Sequence, residues 1–192
     1  IQMIHSWLGK LPHIGDTLPN SWAKVRSDLE EQRRSKSFIS IEQFLKICAD
    51  HGEIDEAALR LSQYLHDLGF LLHFQDDPVL KHMVILDNNW ATEGVYAVLD
   101  DPLVKQQQKG KFSRNDAIRI WDSKEAEKGL AIFKGKHDEL LQLMIKFEIC
   151  YPLAGPPGVY IAPQMLPAAE PETSTTWPYG EGIQVIFRYA FM

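Results

Sequence analysis

Cysteine is almost missing from this chain: Cys48 and Cys150 are the only two among 192 residues, and neither belongs to a CxxC pair or a spaced quartet. Both sit inside apolar patterns, which argues for buried thiols in a reducing compartment over a disulfide framework or a metal site. Also absent is an uninterrupted apolar run of the ~18 residues that a membrane span requires. The opening Ile1-Gln2-Met3 has neither the basic start nor the small-residue cleavage site of a signal peptide. A soluble, cytoplasmic setting is therefore the expectation, with both ends reading as cut from something longer.

The groups that chemistry needs are scarce as well. Three Gly-Lys pairs begin at Gly9, Gly110 and Gly135, but the positions five residues before them hold Ile4, Lys105 and Leu130, and the residues after them are Leu11, Phe112 and His137. A phosphate-binding loop needs glycine at the first of these places and Ser or Thr at the second. Seven histidines are scattered without an HExxH or an i, i+4 pair, so zinc has no recognisable ligand set. His66 and His73 flank Gly69 and could approach each other, but one solvated or hydrogen-bonded imidazole on each element is the much better explanation. Nothing resembles a GxSxG nucleophile turn. The acidic pairs Asp76-Asp77 and Asp100-Asp101 each abut proline, where local backbone hydrogen bonding accounts for them better than acid–base chemistry. We therefore expect no catalytic, metal or cofactor-binding residue in this segment.

What remains is ordinary globular material, 45% apolar and 24% charged, sufficient for one domain or two small ones. A formal charge of −6 gives no long-range attraction for a phosphate backbone. Pro19 suits a helix start, and Trp22, Val25, Arg26 and Leu29 share one face of the helix that follows. Ser40 and Gln43 have capping-box spacing ahead of Ile41, Phe44, Leu45, Ile47 and Cys48, with Gly52 as the stop. Asp55 is placed to cap a helix bearing Ala58, Leu61, Leu65 and Leu68, closed by Gly69. Phe70–Phe74 and Met83–Leu86 read as a hairpin joined through Gln75-Asp76-Asp77-Pro78. Asn88 or Asn89 is placed to cap a helix with Trp90, Val95, Val98 and Leu99.

The order then repeats. Lys111-Phe112-Ser113 stands where Phe38-Ile39-Ser40 stood. Two helices follow, the second with Leu140, Leu141, Leu143, Met144 and Phe147, then strands around Tyr151 and Tyr160 about the turn Ala154-Gly155-Pro156-Pro157-Gly158. The expected fold class is α+β, predominantly helical, with tandem winged-helix-like units at about 38–100 and 111–162. A proline-rich connector covers 163–182, and Ile183, Val185, Phe187, Tyr189 and Phe191 alternate as one face of a strand.

A winged helix raises nucleic acid as an alternative function. Phosphate contacts need cations on the element that enters a groove, and Trp90 to Asp100 contains no Lys or Arg. The basic residues Lys24, Arg26, Arg33, Arg34 and Lys36 lie on the early helix, interleaved with Asp28, Glu30 and Glu31, as on a solvated face.

Leu18-Pro19-Asn20-Ser21-Trp22, Tyr64-Leu65-His66-Asp67-Leu68-Gly69 with His73-Phe74, Val84-Ile85-Leu86-Asp87 followed by Trp90, and Met144-Ile145-Lys146-Phe147-Glu148-Ile149-Cys150-Tyr151 together resemble the COR domain of Roco proteins. The resemblance runs from about Leu18 to Ile161. It implies that 1–17 closes a preceding Roc GTPase domain, that 18–162 is the N-terminal half of COR, and that 183–192 opens its second half. It further implies a cytosolic multidomain parent that binds GTP or GDP with Mg, sometimes carries a kinase, and forms a homodimer largely through the later half of COR. The P-loop and switch residues lie outside this sequence, so the implied role here is relay from Roc. Trp22, Phe74, Asp76 and Asp77 are the candidate interdomain contacts.

Overall fold

The structure is a computed structural model that describes residues 19–128, 132–155 and 157–167. The expectations for 1–18 and for 168–192 lie outside these residues. Six α-helices and five short strands are described: α1 (Asn20–Arg33), β1 (Phe38–Ser40), α2 (Ile41–Asp50), α3 (Glu56–Asp67), β2 (Met83–Ile85), α4 (Asn88–Leu99), β3 (Lys111–Ser113), α5 (Arg114–Lys128), α6 (His137–Lys146), β4 (Tyr151–Pro152) and β5 (Val159–Ile161). The fold is α+β and predominantly helical, as the sequence led us to expect.

The repeated order is visible as topology. In the first half β2 lies between β1, its antiparallel partner, and Leu72, which forms a single antiparallel bridge to Ile85. In the second half β5 lies between β3 and β4, again antiparallel. Each half therefore runs strand, two helices, then two extended segments, with the last one central. Each half also has a helix before its first strand. α4, which the sequence reading had grouped with the first half at 38–100, packs against α5 and α6 of the second.

The strand-to-helix junctions are alike too. The Ser40 hydroxyl accepts from the N–H of Gln43 while the Gln43 side chain accepts from the N–H of Ser40, the reciprocal cap read from the sequence. Ser113 and Asp116 make the same exchange, with the Asp116 carboxylate accepting from both the N–H and the hydroxyl of Ser113. Two other caps differ from expectation. Asp55 occupies the cap position with φ of 48° and its side chain makes no capping bond. The helix α4 is capped by Asp87, which accepts from the Asn89 N–H at 3.0 Å, and not by Asn88 or Asn89.

The first hairpin is the clearest departure. Residues 70–74 and 83–85 meet only at the Leu72–Ile85 bridge, and β2 pairs along its length with β1 instead. The reason is local. Asp77 turns back on the N–H groups of Val79 and Leu80, drawing the chain into a 310 turn at Leu80–His82. His73 spends its bonds on α3 and on Lys81.

Two hydrophobic cores result, and β2 is shared between them. Met83, Val84, Ile85 and Leu86 are all buried. Val84 and Leu86 join Val25, Leu29, Phe44, Leu61 and Leu65 in the first core, whereas Met83 and Ile85 join Trp90, Trp121, Phe133 and Leu140 in the second. Alternate residues of a strand point to opposite faces, so one short strand serves two cores. Trp121 donates to the Gly94 carbonyl at 2.7 Å, and Trp90 to that of Ile132 at 2.7 Å, which satisfies both buried indoles. At Gly94 a Cβ would stand 2.5 Å from Leu140 Cδ2, so glycine is what lets α4 approach α6. The expected connector begins with a 310 turn, Pro163–Met165, whose Met165 packs on the second core.

The helices α3 and α6 end in matching turns: Phe70 N–H to Leu65 O with Gly69 N–H to His66 O, and Ile149 N–H to Met144 O with Glu148 N–H to Ile145 O. The left-handed position is Gly69 (φ 68°) in one and Glu148 (φ 57°) in the other. A side chain there costs about 1–2 kcal/mol, offset in part by the larger backbone entropy of glycine. Glu148→Gly is therefore expected to stabilise the fold by about 0.5–1 kcal/mol, and Gly69→Ala to weaken it by about 1 kcal/mol. Urea denaturation of the two variants checks this, and equal midpoints for both would contradict it.

Candidate interdomain contact surface

The four candidate residues fall on two places. Trp22 is half-buried on α1 and lies against Tyr64 of α3, ring centroids 5.1 Å apart, as part of the first core. Phe74, Asp76 and Asp77 lie together in the turn that leads to β2, with Phe74 packed on the second core. Asp76 is exposed, and Asp77 is buried at 5% exposure.

Asp77 is committed within the chain. One carboxylate oxygen accepts from the Val79 and Leu80 N–H groups at 3.0 Å each, and the other accepts from the Gln142 amide on α6 at 2.8 Å. Burial alone would raise its pKa. The Gln142, Leu80 and Val79 bonds and the nearby Lys146 charge outweigh that and hold it below the ordinary value. Phe74 meets Phe147 edge-on at 5.7 Å, and the Lys146 ammonium sits 5.8 Å from the Phe74 ring centre. The first turn thus docks on the end of α6. Phe74 and Asp77, read from the sequence as contacts with a neighbouring domain, have these partners within the chain, and Gln142 leaves no local signal because it lies 65 positions from Asp77.

Asp101 repeats the device, accepting from Leu103 and Val104 N–H at 3.0 Å. The local-bonding reading of both acidic pairs therefore holds for their second members. Of the early basic residues, Arg26 pairs with Glu30 at 3.2 Å, and Arg33 donates to the Phe70 carbonyl while lying 4.5 Å over the Phe70 ring. Cys48 and Cys150 are buried and free, and burial pushes each thiol up to about 12. Among the described residues no three His, Cys, Asp or Glu side chains converge to hold a metal. No described helix is long and apolar enough to cross a membrane. A groove of about 180 Å³ between α4 and the end of α6 is lined by Leu72, Asn88, Val95, Tyr96, Phe147 and Ile149. That lining offers packing, not acid–base chemistry.

Two helix-and-strand halves, joined by a shared strand and by a turn seated on a helix, define a packing module of the α+β class. Residues 19–166 match the family model described as the C-terminal of Roc, COR-A domain, and the chain belongs to that family. It is similar to a probable serine/threonine-protein kinase, pats1, of Dictyostelium discoideum (28% identical over 145 residues, 74% of this chain and 4% of that protein). It is also similar to a Roc-COR-CHAT protease of Runella zeae (26% over 133 residues, 69% of this chain and 13% of that protein). Among solved structures, Roco2 RocCORdC of Methanosarcina barkeri bound to GDP matches with a TM-score of 0.69 and 26% identity, covering 86% of this chain and 49% of that one. The chain thus spans a small part of these relatives and about half of the solved chain.

Removing the Asp77 carboxylate strands two backbone N–H groups and the Gln142 amide. Asp77→Ala should cost about 2–3 kcal/mol at neutral pH. Because the folded-state pKa lies below the unfolded value, this contribution is complete above the ordinary aspartate range and is lost as pH falls through the lowered folded value. The gap between wild type and Asp77→Asn in guanidinium midpoint should therefore narrow from pH 7 to pH 3. A gap that is constant with pH would count against it.

Proposed function

We propose that this segment is a non-catalytic regulatory scaffold of a Roco multidomain GTPase, and that it relays nucleotide state from a preceding Roc domain to the dimerising later half of COR. In this reading 1–17 closes Roc, the two winged-helix-like halves occupy 18–162, 163–182 is a linker and 183–192 begins the second COR half. The parent binds GTP or GDP with Mg in its Roc domain, carries a kinase in some members, acts as a homodimer and resides in the cytoplasm. The observation that carries the reading is the joint at Asp77: the first half and α6 of the second are bonded through Gln142, so displacement at one end is transmitted to the other. A relay needs partner contacts whose free energies differ between nucleotide states, and it needs a stiff body to pass the difference on. Trp22, Phe74 and Asp76 supply side chains with exposed area for such contacts, and Asp77 holds the turn that presents two of them.

A nucleic-acid role finds little support. In a winged helix the third helix reads the groove, and here that helix in the second half, α6, is engaged by the first turn. On α3 the outward charges are locally matched, Arg60 with Glu56 at 3.4 Å, while Gln63 donates to Asp67 at 2.8 Å. No basic strip remains on either helix for phosphates.

Two measurements test the proposal. In a protein that includes Roc, Trp22→Ala is expected to change GTP turnover or nucleotide-dependent dimerisation by several-fold with circular dichroism unchanged. Wild-type values for both would reject the role of Trp22. In a low-salt titration against duplex DNA and single-stranded RNA the chain should show no binding, and saturable, salt-sensitive binding would favour the nucleic-acid reading.

A further inference from the structure

We propose that His66 and His73 form a proton-sensitive latch that holds the first turn on α3 and, through Phe74, on α6. His73 is buried at 2% exposure. Its Nε2 lies 3.1 Å from the Lys81 carbonyl oxygen, which can only accept, so Nε2 carries the proton. Nδ1 is then a bare acceptor and takes the Ser62 hydroxyl at 2.5 Å. The backbone N–H of His73 donates to Nδ1 of His66 at 3.3 Å, so that ring also uses Nδ1 as an acceptor. Both imidazoles therefore hold the segment through the atom that protonation would occupy.

The consequences of a proton differ at the two rings but point the same way. On His66 it would set N–H against N–H and end the bond to the His73 backbone. On His73 it would make Nδ1 a donor, toward which the Ser62 hydroxyl can turn its oxygen, but it would also bury a cation beside His66, and burial already lowers the His73 pKa. The neighbouring carboxylates are otherwise engaged: Asp77 with Val79, Leu80 and Gln142, and Glu42 on α2 with Ser40 and the charge of His82. Lys81 contributes its carbonyl to His73, and Lys146 of α6 lies over Phe74. On α2 the facing group is the Phe44 ring, 6.4 Å away.

The latch connects to the joint between the halves. His66 meets Phe74 edge-on at 5.2 Å, and Phe74 meets Phe147 edge-on at 5.7 Å. A His66 ring that turns away removes one of the two rings that hold Phe74 edge-on. The sign follows from linkage. In the open state His73 takes up a proton at the ordinary imidazole value of about 6.5, and in the latched state burial lowers that value, so the latch holds above that pH and weakens below it. Exclusion of the His73 proton raises the open population by at most about tenfold per pH unit in that range.

Amide hydrogen exchange on the whole chain at pH 7.5 and 5.5, corrected for intrinsic exchange chemistry, reads this directly. Opening across 71–82 and at the end of α6 should rise by about tenfold at the lower pH. His66→Asn, whose side-chain oxygen can accept from the His73 N–H without ionising, should lose part of that rise. The rise should shrink again when His73→Gln is added. Equal opening at both pH values, or an undiminished rise in the double variant, would overturn the latch. Should the variants fail to fold, the imidazole proton signals of the wild type decide. A His73 signal that stays neutral to well below pH 6 supports the latch, and one that titrates at the free value refutes it. The readout involves neither Roc nor nucleotide, so it succeeds or fails independently of the relay.

Discussion

The architecture depends on the burial of both faces of β2. A strand with one wet face could serve only one core, and the two halves would then be separate bodies on a tether. Here Val84 and Leu86 face one core, and Met83 and Ile85 face the other, each side chain contributing about 1.5–3 kcal/mol by leaving water. Loss of β2 from the sheet would open both cores together. The same alternation extends to its neighbours: Ile39 and Leu71 serve the first core, while Phe38 and Leu72 pack on the second. Cooperative folding of the described residues is thus built into three adjacent extended segments.

Polar groups follow the same economy. The carboxylates that looked available for chemistry bond to backbone N–H groups two and three residues ahead, and the buried tryptophans donate to carbonyls of neighbouring elements. Side chains consumed in this way hold positions. The COR-A family, to which the chain belongs, is described by its place C-terminal of Roc.

Much of this was legible in the sequence because it is local. The Ser40–Gln43 cap, the glycine-closed turn at Gly69 and the duplicated strand-helix-helix order all rest on interactions within a few residues, where chemistry and spacing are visible together. The first hairpin misled because a run with strand character, Phe70–Phe74, sits before a turn whose Asp77 prefers a 310 bend and whose His73 prefers α3. The membership of α4 was hidden for a different reason. An apolar helix between two halves suits either core, and only its three-dimensional contacts, the close approach at Gly94 among them, reveal which one it joins. The seat of the first turn on α6 was not legible, since Phe147 reads as one more member of a helical stripe and Gln142 lies 65 positions from Asp77.

The close approach at Gly94 also limits how the second half can deform. The Trp121 indole bonds to the carbonyl of the residue whose missing side chain admits Leu140, so hydrogen bond and packing coincide at one point. Sliding α4 along its axis by a turn would bring a side chain of the same face, Trp90 or Ala91 in one direction and Ala97 or Val98 in the other, against Leu140 and would break the indole bond in the same step. Rotation about that point asks for neither. Any rearrangement that passes through this helix is thereby confined to pivoting on a fulcrum, with the α4 ends as its two lever arms.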